Sequence, residues 1–157
     1  LYFNFNICIN IICCFLKNMN NDFEQISLKL GLMKHNGGIL FKTISENEYQ
    51  FKATINENHL NAAGITHGGF IAAFVDAGAG TAAHRSAGNS PCVTISLELK
   101  FISAVKLGQE LIGNTKIQKK TKTMVFLTSE LTTGNRIVAT ASGIWKILKL
   151  TGAGPGG

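Results

Sequence analysis

Acidic residues are scarce. Nine Asp and Glu stand against fifteen Lys and Arg in a 157-residue chain of formal charge +6, and between Glu57 and Glu98 the only acid is Asp76. A positive surplus suits a polyanionic ligand, yet the basic residues are scattered, with only Lys119, Lys120 and Lys122 clustered. There is no basic stripe interleaved with aromatics, no zinc-finger spacing and no G-x-x-x-x-G-K-[ST] loop, which argues against nucleic-acid and nucleoside-triphosphate binding. The four cysteines, Cys8, Cys13, Cys14 and Cys92, form no paired framework, so reduced thiols in a cytoplasmic setting are expected. His35, His59 and His84 lack ligand spacing, and no metal site is expected. Long hydrophobic runs are also missing: LYFNFNICINIICCFL at the start is too short to span a bilayer, carries three Asn and has no basic leader, so neither a signal peptide nor stable membrane insertion is expected. No repeat or linker divides the chain, and 45% hydrophobic residues suffice for one domain with a packed core.

What the chain does have is the stretch NHLNAAGITHGGFIAAFVDAGAG from Asn58 to Gly80. Ile71, Phe74, Val75, Gly78, Ala79 and Ala82 recur at helical spacing, and Ala72, Ala73, Ala77 and Ala83 fill the flanks, which predicts a helix wrapped nearly all round. Asp76 lies in its middle, where an apolar setting makes a carboxylate costly unless it is paired, hydrogen-bonded or used. Thr66 is the predicted N-cap and His67-Gly68-Gly69 the first turn, whose free N–H groups and dipole suit an anion or oxyanion. Two successive glycines cost about 1 kcal/mol each relative to Ala, which points to close approach by a ligand or another backbone. Asp76 is some 12 Å further along the axis at about 1.5 Å per residue, too far to serve its own glycine turn.

The pattern Asn61-Ala-Ala-Gly64-Ile-Thr-His67-Gly68-Gly69, with Asp76 nine residues after the His, resembles the active-site segment of hotdog-fold acyl-CoA thioesterases of the PaaI-like group, which includes the thioesterase superfamily member proteins. The resemblance runs from about Asp22 to Leu150. It implies an α+β fold in which a long central helix is wrapped by an antiparallel sheet, two units dimerising through a continuous sheet, and dimers pairing further. Asp76 would then face the glycine turn of the partner. The resemblance also implies the roles: the Gly68 N–H and the Asn61 side chain hold the thioester carbonyl, Asp76 activates water or attacks, Thr94 helps position the water or the Asp, and His67 and Gly69 contact substrate. No cofactor is implied beyond coenzyme A as part of the substrate, whose nucleotide end the net positive charge would suit.

The remainder fits such a domain over 19–150, with 1–18 as an extension, Met19 as a candidate natural start and the Gly-rich 151–157 as a flexible tail. Asp22 to about Met33 reads as a helix ended by His35-Asn36-Gly37-Gly38. Ile39–Ile44 and Tyr49–Ile55 read as a hairpin across Ser45–Glu48. Val93, Ile95, Leu97, Leu99 and Phe101 alternate strictly with Thr94, Ser96, Glu98 and Lys100, which places Thr94 on the outer, polar face. Gly108–Lys120, Thr123–Thr132 and Arg136–Leu148 read as three more strands in a meander.

Each of these residues also has a plainer reading. Asp76 can bond a neighbouring polar group, His67 can shape a helix start, Asn61 can be a turn residue and Thr94 a solvated one. Phe70, Phe74 and Phe101 fit either pocket or core. Two positions depart from the family pattern: Thr121 stands at a hairpin turn where relatives commonly carry Gly, and Ala104 where Pro is frequent. Neither touches the proposed chemistry, but the first leaves open whether Lys119, Lys120 or Lys122 grips coenzyme A phosphates. Enoyl-thioester hydratases and non-catalytic acyl-CoA modules are alternatives; the former need a Pro-rich loop before the helix, and the latter an appended DNA-binding domain.

Overall fold

The computed structural model describes residues 23–149; the expected extension at 1–18 and the tail at 151–157 lie outside the described residues. Seven strands, β1 (Glu24–Ile26), β2 (Ile39–Thr43), β3 (Glu48–Thr54), β4 (Cys92–Phe101), β5 (Glu110–Lys120), β6 (Met124–Thr133) and β7 (Arg136–Ile147), form one antiparallel sheet in the order β1-β2-β3-β5-β6-β7-β4. A one-turn helix α1 (Leu32–His35) precedes β2, and the long helix α2 (Gly68–Ser86) joins β3 to β4. The expected hairpin and β5–β6–β7 meander are present. Between β3 and β4 the chain runs through α2, so β4 pairs with β7 at the far edge instead of joining β5.

The helix sits on the sheet because its buried positions, Phe70, Ile71, Phe74, Val75, Gly78, Ala79, Ala82 and Ala83, recur at helical spacing against an apolar sheet face. Phe51 on β3 is clamped between Gly78 and Gly113 of β5, where a Cβ at either glycine would run into its ring. It also meets the Phe74 ring at 4.9 Å. The expectation that α2 is wrapped all round does not hold within one chain. The sheet covers one side, and a strip of small residues with Asp76 at its centre stays exposed or half-buried.

The helix expected from Asp22 to Met33 is also corrected. Over the described part, Glu24–Ile26 pair with Ile39–Phe41, and Ser27 (φ 63°) and Gly31 (φ 144°) take backbone angles that no α-helix tolerates. Arg85, in the last turn of α2, ties β1 down with a 2.6 Å ion pair to Glu24. The predicted stop at His35–Gly38 is present, Gly37 and Gly38 both having positive φ.

Candidate active site

The loop before α2 is built by its own hydrogen bonds. Asn61 Oδ1 accepts from the N–H groups of Ala63 (2.9 Å) and Ile65 (3.3 Å), and Asn61 N–H donates to Ile65 O, closing a tight turn that leaves the Nδ2 hydrogens uncommitted among the described residues. Thr66 is not the N-cap. It is buried, and both its N–H and its hydroxyl donate to Val105 O, so the segment holding Ala104 anchors the loop. His67 is the N-cap instead: its Nδ1 accepts from Gly69 N–H at 2.8 Å. An imidazole nitrogen can cap as a hydroxyl does, but preference scales for caps favour Ser, Thr, Asp and Asn, which is why Thr66 is the choice from sequence.

This cap decides which donor is free. Gly69 N–H is committed to His67, whereas Gly68 N–H has no partner among the described residues and stands at the positive end of a 19-residue helix. Within this chain only Gly69 is crowded closely enough by a side chain to require glycine, while a Cβ at Gly68 would make an ordinary contact. A Cβ at Gly69 would lie 2.9 Å from His67 Nδ1, and one at Gly68 would lie 3.4 Å from the Phe101 ring. Behind the loop sits a residue for which the sequence showed no role. His59 is buried, accepts Asn56 N–H at Nδ1 (3.2 Å), donates from Nε2 to Asn36 O (2.8 Å) and stacks on Phe70 with ring centroids 3.7 Å apart. Its carbonyl accepts His67 N–H at 2.7 Å, so it positions the cap. The Asn56-x-x-His59 spacing of a capping box was the available signal.

Asp76 is exposed in the single chain and forms no ion pair among the described residues. Among the described residues its side-chain partner is Thr94, whose hydroxyl donates to Oδ1 at 2.7 Å. The placement of Thr94 on an outer polar face is corrected. Pairing between β4 and β7 shifts register between Thr94 and Ser96, so Ile95 is bulged and the alternation inverts. Thr94 therefore pairs with buried Trp145, on the same face as Leu97 and Leu99, towards α2. His67 and Gly68 stand at the start of α2, with Asn61 in the loop that precedes it, and Asp76 with Thr94 forms a second group about 12 Å along the axis at 1.5 Å per residue. Among the described residues no three His, Cys, Asp or Glu side chains converge as metal ligands.

At the expected departure from pattern, Thr121 closes the β5–β6 turn itself: its hydroxyl accepts Met124 N–H (3.0 Å) and Thr123 N–H (3.3 Å). Lys120 reaches back to Ser86 O at the C-terminus of α2.

The family model described as "Thioesterase superfamily" matches residues 63–140, a segment that starts in the loop before α2 and takes in the Asp76–Thr94 pair. The chain is 28% identical over 133 residues to a candidate esterase of Pseudomonas aeruginosa, covering 84% of this chain and 99% of that one. It is 29% identical over 111 residues to acyl-coenzyme A thioesterase 13 of Homo sapiens, covering 71% and 73% respectively. Zebrafish thioesterase superfamily member 2 superposes with a TM-score of 0.71 at 19% identity, over 88% of this chain and 97% of that one. Motif, topology and these likenesses agree: the chain belongs to the thioesterase superfamily and has the hotdog fold.

Proposed function

We propose that this protein hydrolyses acyl-CoA thioesters to a free acid and coenzyme A. The observation that carries the reading is the free Gly68 N–H at the start of α2, with an uncommitted Asn61 amide in the loop that leads to it, together with an Asp76 carboxylate held by one hydroxyl and otherwise open. A carbonyl oxygen on Gly68 N–H and Asn61 Nδ2 gains as it becomes an oxyanion; one such donor is typically worth about 3 kcal/mol in the transition state. A water deprotonated by Asp76 attacks the carbonyl carbon. The tetrahedral intermediate collapses with cleavage of the C–S bond, and the departing thiolate takes the proton back from the carboxyl. Attack by Asp76 itself is the other route and passes through a mixed anhydride; single-turnover hydrolysis in heavy-oxygen water leaves label in the Asp76 carboxylate only by that route.

The 12 Å between the two groups requires a second copy. β4 is an edge strand with exposed Val93, Ile95 and Phe101, and it borders the exposed strip of α2. Pairing through this edge covers both and sets Asp76 of one protomer against Gly68 of its partner; dimers then associate in pairs. The +6 charge favours the nucleotide end of coenzyme A. A cytoplasmic setting fits unpaired thiols, and no helix among the described residues is long and apolar enough to cross a membrane.

The test is thiol release from a panel of aliphatic and aryl acyl-CoAs. Release with kcat in the ordinary enzymic range is expected. Hydration of crotonyl-CoA without thiol release would assign the protein to the enoyl-thioester hydratases instead.

A further inference from the structure

A cavity of about 260 Å³ lies between α1 and the first half of α2. It is lined by Leu32, Met33, Leu60, Phe70 and Ala73, and by His67 and Gly69. Those two residues flank the free Gly68 N–H, so a thioester whose carbonyl rests there has its acyl chain beside the opening. Two Asn side chains, Asn36 and Asn58, also line the cavity, but Asn36 Nδ2 is committed to Leu32 O at 2.9 Å and Asn58 is exposed. The lining offers aliphatic and aromatic contact with little polar demand, as a pocket for an apolar chain should.

We infer that this cavity takes the acyl chain, that the α1 turn carrying Met33 sets its length limit, and that straight medium chains are the favoured substrates. The inference rests on the thioesterase reading and deepens it. A methylene fills about the 30 Å³ that a water takes in the liquid, so the cavity accommodates roughly eight or nine of them. The α1 turn is held by hydrogen bonds. Met33 O accepts Gly38 N–H at 2.7 Å, His35 N–H reaches Gly31 O at 3.0 Å, and His59 holds Asn36 O from behind. Phe70 is pinned by its stack on His59. Ala73 lies between Gly69 and Asp76 on one helix face, the i, i+4, i+7 relation, so a larger side chain there enters the cavity from the side nearest the carbonyl.

The experiment measures kcat/KM by thiol release over straight acyl-CoAs from acetyl to palmitoyl, with phenylacetyl-CoA alongside, for the wild type, Met33→Ala and Ala73→Leu. The wild-type maximum is expected near octanoyl or decanoyl, with a fall of about tenfold or more at palmitoyl, whose last methylenes find no room in the cavity. Met33→Ala is expected to move the maximum toward dodecanoyl, and Ala73→Leu toward butyryl or hexanoyl. If Met33→Ala does not fold, Met33→Val takes its place with the same direction of shift expected, and Ala73→Leu, whose site lies on the strip the partner would cover, is read once size-exclusion chromatography shows it dimeric. Active enzymes with identical chain-length profiles, or a wild-type maximum at acetyl, phenylacetyl or palmitoyl, would overturn the inference and leave the thioesterase reading standing. No thiol release by the wild type from any of these thioesters would remove that reading, and this inference with it.

Discussion

Replacing Thr94 by Val isolates the hydroxyl that holds Asp76. Val has nearly the same shape, is at home in a strand and keeps the contacts towards Trp145, so the change amounts to loss of one O–H···O bond of 2.7 Å to a carboxylate. Hydrogen bonds to charged groups contribute about 1.5–3 kcal/mol, and the exposure of this pair in the single chain puts the expectation at the lower end. A loss of about 1.5 kcal/mol in transition-state stabilisation is roughly a tenfold fall in rate. In the proposed mechanism the bond orients the base and not the thioester, so the fall belongs in kcat, with KM little changed. Thr94→Ser keeps the hydroxyl and should recover most of the rate. Steady-state thiol release on one good substrate for the three proteins is the assay, with far-UV circular dichroism to show an unchanged fold. Wild-type kcat in Thr94→Val, or equal loss in Val and Ser, would refute the reasoning and return Thr94 to a structural role.

Asp76→Asn should lower kcat by several orders of magnitude while melting temperature stays level or rises, since the proposed base is exchanged for a near-isostere; thiol release and calorimetry check both parts. Asn61→Asp keeps the Oδ1 that holds the loop but removes the Nδ2 donor, so it should lose kcat with the fold intact, whereas Asn61→Ala should also loosen the loop, seen as lower thermal stability. Gly78→Ala drives a methyl into the Phe51 ring and should cost about 1–3 kcal/mol in urea unfolding, without local effect on Asp76 chemistry. Burial pushes the Cys92 thiol up, leaving less thiolate at mildly alkaline pH, so peptide mapping should find its alkylation by iodoacetamide slower than that of glutathione.

The parts of this molecule legible in the sequence are those fixed by local pattern. The periodicity of Phe74, Val75 and Ala79 belongs to α2, and turn residues bound the β2–β3 hairpin. Asn61, Gly68 and Asp76 stand out because their spacing is that of a recognised motif. What escaped depends on pairing across the fold. Strict alternation in β4 suggested an outward Thr94, and only the register against β7 reveals the bulge at Ile95 that turns it toward Asp76. Phe23, Ile26, Leu30 and Met33 keep helical spacing, yet three bridges to β2 and a positive φ at Ser27 make the segment a strand and a bend. His67 took the capping role from Thr66 because the Thr66 hydroxyl is held by Val105 O, a contact 39 residues away in sequence.

A catalytic site shared between two protomers, as proposed, lets one inactive variant rescue another. Asp76→Asn and Asn61→Asp are unfolded together in equal amounts, refolded, and assayed beside each variant refolded alone, with mixed dimers confirmed by mass. A mixed dimer has one site with both groups intact and one with neither; about half of the dimers are mixed after random reassortment, so roughly a quarter of wild-type activity should return. Activity no greater than the mean of the two parents would contradict the account and require a base nearer to Gly68 in the same chain.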